Sequence, residues 1–379
     1  MSDHKRSDLA HRIVIKIGSS TLTNEDGTIA KSYIADLAAQ VRELHAMGSE
    51  VLIVTSAAIT AGLQALGLPP QRPDRIPTLQ AAAAVGQIEL ARAYARSFEA
   101  QGLIVGQILL TRFDTVNRES YLHARDTVER LLELGVVPLI NENDTVAVDE
   151  IRFGDNDTLA AQVAILVKAE LVVLLSDIEG LYTADPRLDE DAQLLESIAG
   201  FTEELVNAAG DAGTARGSGG MVTKLEAARM LMAAGIPMVI CEGHRPHAVL
   251  DAACGKQVGT RFSSEKHSKQ AGAKKLWIAL SGTVKGSVFI DEGAVLALRE
   301  RGSSLLPVGV VRVEGDFAAG QAVDIRTTSG FLVGRGLSNY SRDELALAVG
   351  HTSEQLAGNK LLIHLANKEV IHRDRLVVF

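Results

Sequence analysis

Aromatic side chains are scarce in this chain of 379 residues, at 4%, with a single tryptophan. Few platforms are left on which bases could stack, and a formal net charge of -9 adds no pull toward a phosphate backbone. A nucleic-acid surface is therefore not expected as the main function. Cysteine is scarcer still: Cys241 and Cys254 match no metal-ligand spacing, and Cys241 ends an apolar run, so both read as reduced, inert thiols. No apolar run reaches membrane-span length without charge, glycine or proline, and the opening MSDHKRSDLAHR has no apolar core of signal-peptide length. A cytoplasmic protein without a membrane segment is expected. The chain also lacks GxxxxGK[ST], which sets P-loop NTPase chemistry aside, and it has no fixed-period repeat or low-complexity tract.

What is present is ordinary globular composition, 46% hydrophobic and 22% charged, enough to bury a large core without staples. The length suggests two domains. Strands are predicted at RIVIKI (12–17), EVLIV (50–54), LIVGQILL (103–110), VVPLI (136–140), LVVLL (171–175) and IPMVIC (236–241). They are apolar nearly throughout, as in a parallel sheet covered on both faces. Between them, Ile34, Leu37, Ala38, Val41 and Leu44 recur at helical spacing ahead of Gly48, and Ala-rich segments over 78–100 and 223–234 read the same way. The fold class is α/β, an open and mainly parallel sheet flanked by helices, which binds ligands at the carboxyl ends of its strands. From about Gly255 the texture changes to a lysine-bearing connector, GKQVGTRFSSEKHSKQAGAKK. Short strands with glycine-rich turns then follow: LWIAL, GSVFID, GVVRVEGDF, AVDIRT, GFLVGRGLS and EVIHRDRLVVF. They predict a small β-barrel-like domain. The expected boundaries are 1–262 for the first domain, 263–275 for a linker and 276–379 for the second.

The polar clusters fall at predicted strand ends. KIGSS puts Lys16 beside a glycine and two hydroxyls, suited to phosphate or simply to a strand-end turn. TSAAITAG (55–62) could offer backbone N–H groups to an anion, or serve only tight helix–sheet packing. PLINENDTVAVDEIRFGDNDTL (138–159) breaks from an apolar strand into Asn141, Glu142, Asn143 and Asp144. It returns with Gly154, Asp155, Asn156 and Asp157 ahead of a helical run. Such clusters suit a small amine-bearing ligand, or a turn and an N-cap, with Asp155 as a candidate cap. SDIEGLYTADP (176–186) resembles a nucleotide-edge loop with Asp177 and Tyr182 near base or ribose. GSGGMVTK (217–224) is a second Gly-rich loop with a lysine at a helix start, favourable to an anion. His372-Arg373-Asp374 spells a protein-kinase triplet, but no DFG or correctly spaced asparagine follows; it reads as a polar patch on a terminal strand. Two lysines on separate Gly-rich loops, with acidic and carboxamide clusters between them, suggest phosphoryl transfer, which needs positioning and charge neutralisation.

KIGSS, TSAAITAG, LLTRFD, the INEND and GDND pair, LLSDIEGLYTADPR and GSGGMVTKLEAA together resemble the glutamate 5-kinases of the amino-acid-kinase fold. RERGSSLLPVGVVRVEGDFAAG and the closing EVIHRDRLVV resemble the PUA domain that many bacterial members carry. The resemblance spans nearly the whole chain. It implies ATP- and Mg2+-dependent phosphorylation of the side-chain carboxylate of L-glutamate, the first step of proline biosynthesis, with proline as feedback inhibitor. By position, Lys16 and Lys224 would contact the transferring phosphate and Asp157 would orient them. Ser56, Asp144 and Asn156 would bind glutamate. Lys16, Ser176, Asp177 and the loop Ser218, Gly219, Gly220, Met221, Val222, Thr223 and Lys224 would line the ATP site. No metal ligands are assigned. A homo-oligomer (dimer or tetramer), the next enzyme of the pathway and RNA at the PUA domain are the implied partners, with Arg299, Arg301, Arg312 and Arg335 as a basic face for the last. Two departures stand out: the family usually has glycine where Ala57 stands, and often threonine where Ser176 stands.

Overall fold

Arg12–Ile17 (β1) is buried from Ile13 onward on both faces, as its unbroken apolar character requires. The computed structural model describes residues 9–69, 73–111, 114, 117–146, 156–186, 188–202, 205, 220–264, 284–360 and 362–379. The chain divides into two units, Met1–Lys266 and His267–Phe379. In the first, β1 is joined by Glu50–Val54 (β2), Ile104–Leu110 (β3), Val136–Glu142 (β4), Leu171–Ser176 (β5), Ser197–Ile198 (β6), Met238–Glu242 (β7) and Thr260–Phe262 (β8). The strand order is β3-β4-β2-β1-β5-β7-β8-β6, parallel except where β8 runs against β7. β1 lies between β2 and β5, with Lys16 level with Val54 on one side and Leu174 on the other. The chain builds outward from β1 in one direction first and then in the other. Lys16 therefore stands at the switch point, where open α/β sheets open a crevice.

Helices cover the sheet. Lys31–Met47 (α1) buries Ile34, Leu37, Ala38, Val41 and Leu44 along one face, and Gly48 ends it at φ 96, donating back to the carbonyls of His45 and Leu44. Each fully buried leucine or isoleucine contributes about 1.5–3 kcal/mol relative to exposure, so this stripe, rather than helix propensity, holds α1 in place. Further helices of this unit are Ala58–Ala65 (α2), Ile76–Glu99 (α3), Arg118–Glu133 (α4), Asp157–Leu166 (α5), Gly220–Ala233 (α6) and Ala248–Ala253 (α7). The small residues of TSAAITAG serve a helix–helix crossing rather than a helix–sheet contact. A Cβ on Gly62 would lie 1.7 Å from the carbonyl oxygen of Ala82, and one on Gly86 would lie 1.8 Å from that of Ala58. Two bare backbones thus seat α2 against α3.

The connector expected to begin at Gly255 is partly sheet, because Thr260–Phe262 forms β8. Three residues are too few to show any periodicity in the sequence. In the second unit, Gly286–Ile290 (β9), Val310–Gly315 (β10), Ala322–Thr327 (β11), Leu332–Leu337 (β12) and Leu376–Val378 (β13) form a mixed sheet of order β10-β9-β11-β12-β13. Glu292–Arg301 (α8), Arg342–Ala348 (α9) and Ser353–Gly358 (α10) accompany it, the last two each opened by a complete capping box. Tyr340 is fully buried in its core, its hydroxyl 2.7 Å from the carbonyl oxygen of Lys368 and 3.0 Å from that of Leu365, which share its one proton. The run LWIAL lies outside the described residues. His372-Arg373-Asp374 is not on the terminal strand: His372 caps a single 3-10 turn, Arg373–Arg375, accepting from the Asp374 N–H ahead of β13. Three of the four arginines considered for a basic face are engaged within the unit. Arg335 pairs with buried Asp324 at 2.9 Å, Arg312 lies 3.8 Å above the Phe289 ring and pairs with Glu314, and Arg299 lies 5.8 Å from the Phe331 ring centre.

Candidate active site

Three ionised side chains meet where β1, α5 and α6 converge. Lys16 Nζ lies 2.6 Å from Oδ1 of Asp157, and Lys224 Nζ lies 3.1 Å from Oδ2. All three are buried, Asp157 with no exposed surface. Burial of separate charges would be prohibitive; one carboxylate placed between two ammoniums makes it tolerable. Thr223 places its hydroxyl 3.1 Å from both Oδ2 of Asp157 and the Gly220 carbonyl oxygen, which share its one proton. Lys224 also donates to Gly220 O at 3.1 Å, so the first turn of α6 folds its polar groups onto this point. Gly220 opens the helix, Met221 is half-buried and Val222 is 48% exposed. Ser218 and Gly219, like Gly154 and Asp155, lie outside the described residues.

Asn156 occupies the N-cap position of α5, yet its side chain makes no capping bond. Its Nδ2 donates instead to the carbonyl oxygen of Thr55 (2.7 Å) and to Oδ1 of Asn141 (2.7 Å). The two polar clusters are thereby joined across 15 residues of sequence. Asn141 and Glu142 are not turn residues: they complete β4, and both are buried. Asn141 belongs to the cluster that suits an amine-bearing ligand, but the resemblance gives it no role of its own. The signal in the sequence is a carboxamide that continues an apolar strand without interrupting it. Asp144 sits half-exposed in the turn after β4.

Ser56 is buried, immediately ahead of Ala57, which enters α2 in the left-handed region at φ 75, ψ 5. That conformation accounts for a glycine at this position more directly than any approach of substrate to backbone. Behind it, Thr55 donates to the hydroxyl of Tyr94 at 3.1 Å, and complete burial raises the pKa of that phenol. Ser176 ends β5 and donates to Asp177 at 3.0 Å, and its carbonyl accepts from Gly243 N–H at 2.7 Å. The loop beyond Asp177 is held from behind. The Leu181 N–H donates to the hydroxyl of fully buried Thr260 at 2.8 Å, and a Cβ on Gly180 would lie 2.5 Å from that hydroxyl. Tyr182 bonds the Glu179 carboxylate. Cys241 sits nearby at the end of β7, where burial pushes its thiol up to about 12 and leaves it unreactive.

Similarity to known proteins decides between the readings this geometry allows. Residues 11–242 match the model of the amino acid kinase family, and residues 286–358 match the PUA domain. The glutamate 5-kinase of Geobacter sulfurreducens is 46% identical over 367 residues, 97% of either chain. That of Chromobacterium violaceum is 44% identical over 374 residues, 99% of either chain. The chain belongs to the amino acid kinase family, among its glutamate 5-kinases. The match to the PUA model stops short of β13, which completes the second sheet.

Proposed function

We propose that the centre formed by Lys16, Asp157 and Lys224 transfers the γ-phosphoryl group of ATP to the side-chain carboxylate of L-glutamate, giving L-glutamyl 5-phosphate for proline biosynthesis. The observation that carries this is two buried ammoniums held on one carboxylate at the switch point of the sheet. Phosphoryl transfer asks for positioned positive charge around the equatorial oxygens and little covalent chemistry. The attacking carboxylate is already ionised near neutral pH, with an ordinary pKa of about 4.3, so no general base is needed. Glutamate attacks in line as the bond to ADP breaks. Lys16 and Lys224 keep Asp157 as their anchor and direct positive charge to the transferring oxygens, where charge develops. Asn156 and Ser56 hold glutamate beside them, with Asp144 at the rim. Ser176, Asp177 and the first turn of α6 take the nucleotide, whose phosphates meet the N-terminal end of a 14-residue helix.

Among the described residues no three acidic, histidine or cysteine side chains cluster to hold a metal. Mg2+ bound together with the nucleotide would supply further charge neutralisation beside Lys16 and Lys224. Proline as a feedback inhibitor belongs to this reading, since it carries the same α-carboxylate and a cationic amine. A homo-oligomer is supported by edge strand β3, which leaves Ile104 68% exposed. A cytoplasmic location is supported by small charged substrates, by an unreactive reduced Cys241, and by the absence among the described residues of any helix long and apolar enough to cross a membrane. The test is ADP release against glutamate, aspartate and N-acetylglutamate, with and without proline. Turnover dependent on glutamate supports the reading; equal turnover with aspartate or N-acetylglutamate would overturn its substrate.

A further inference from the structure

Asn156 is the middle of a hydrogen-bond chain whose direction is fixed. The Thr55 carbonyl can only accept, so the Asn156 atom 2.7 Å from it is Nδ2. The same nitrogen donates to Oδ1 of Asn141, also at 2.7 Å. Both N–H bonds of the Asn156 amide are then committed, and what it has left to offer is an acceptor oxygen. Asn141, its own oxygen in use, presents Nδ2 on its other side and donates to Oε1 of Gln87 at 2.8 Å. Gln87 is left with Nε2 enclosed and without a hydrogen-bond partner among the described residues. An enclosed donor without an acceptor is costly. Reversing the Gln87 amide would set that donor against the Asn141 donor, so the orientation is imposed by the chain. The backbone next to Gln87 is equally constrained, because Gly86 packs against Ala58 with no room for a Cβ.

We infer that Gln87 is a positioning residue that sets specificity for an amine-bearing substrate, holding the Asn141–Asn156 pair so that Asn156 shows only its oxygen. An α-ammonium is the group such an acceptor recognises, and a dicarboxylate without one gains nothing from it. The inference rests on the reading of Asn156 as a glutamate contact. Remove the Gln87 acceptor and Asn141 loses one of its two anchors; the acceptor that Asn156 presents loosens with it.

The experiment compares kcat/KM for glutamate with the same quantity, or the inhibition constant, for glutarate, the dicarboxylate that lacks the amine. Gln87→Met, close in length but without the amide, should lower the preference for glutamate by about tenfold and leave the KM for ATP unchanged. Gln87→Leu is the second removal should the methionine variant fold poorly. Gln87→Glu, which keeps an oxygen for Asn141, should restore most of the loss. In an Asn141→Ala background Gln87→Met should add almost nothing, since the chain is already cut. An unchanged preference in Gln87→Met, or losses that simply add in the double variant, would overturn the role of Gln87. Asn156→Ala separates the two levels. If it leaves the preference intact, the assignment of Asn156 to glutamate fails; if it abolishes the preference while Gln87→Met does not, only the Gln87 inference fails.

Discussion

The ammonium of Lys16 lies 2.6 Å from a carboxylate, that of Asp157, which has no exposed surface and whose second oxygen holds Lys224. Charge placed so deeply is stable only as a set. In the proposed reaction this aspartate would act without touching substrate, by fixing the distance between the two cations assigned to the transferring phosphate.

Asp157→Asn should therefore do more than remove one contact. It is nearly isosteric, but it leaves two buried cations without their shared counter-charge, and breaking a buried pair in this way costs about 3–5 kcal/mol. The loss should appear as a lower urea midpoint with an unchanged slope. Turnover should fall at least about 100-fold. Because ATP phosphates can replace the missing negative charge, saturating ATP should raise the Tm of the variant more than that of the native chain. Equal ATP shifts for both proteins would show that the lysines do not meet the phosphates.

Ala57 offers a cleaner measurement. It holds φ 75 with a methyl group attached, and left-handed backbone costs a non-glycine residue about 1 kcal/mol or more. Ala57→Gly should raise stability by several tenths to about 1 kcal/mol in chemical denaturation, the relief of strain outweighing the extra freedom gained by the unfolded chain. A fall in stability would mean that the methyl group's packing contributes more than the strain it imposes.

The parallel sheet was legible because its strands are apolar on both faces, a pattern that survives in sequence at β1, β2 and β5. The two lysines and Asp157 were legible as motif positions. What was hidden is what each polar group turns toward. Asn156 looks like a cap by position, and only the fold shows its amide directed at Thr55 and Asn141, residues 101 and 15 positions away. β8 was hidden for a different reason: three residues carry no period, and its place in the sheet comes from pairing with β7. Gln87 gave no sign at all, because one glutamine on a long helix is indistinguishable from a solvated one until its partner is known.

His45 carries a prediction about pH. Burial is the main cause that lowers its pKa from the ordinary 6.5, aided by nearby Arg42. Its Nε2 is enclosed without a hydrogen-bond partner among the described residues. A base whose folded pKa is lowered binds fewer protons folded than unfolded, so stability is lost as pH falls below about 6.5 and is unaffected well above it. The urea midpoint should fall between pH 7.5 and 5.5, and His45→Leu should make that fall smaller. An identical pH dependence in the variant would place the sensitivity on other groups.

Gly86 links the helix crossing to the chemistry. A Cβ there would lie 1.8 Å from the Ala58 carbonyl oxygen and 2.4 Å from the Gly62 nitrogen, both backbone atoms that cannot swing aside. Gly86→Ala must push α2 away from α3, a change that overpacking data put at about 1–3 kcal/mol or more. The displacement has a direction. α2 begins directly after Ser56 and Ala57, and Gln87 follows Gly86, so the glutamate side should move while Lys16, Asp157 and Lys224, held on β1, α5 and α6, stay in place. The KM for glutamate should rise well above that of the native chain with the KM for ATP nearly unchanged, measured below the variant's unfolding transition. A parallel rise in both constants would mean that the crossing supports the whole site rather than its glutamate half.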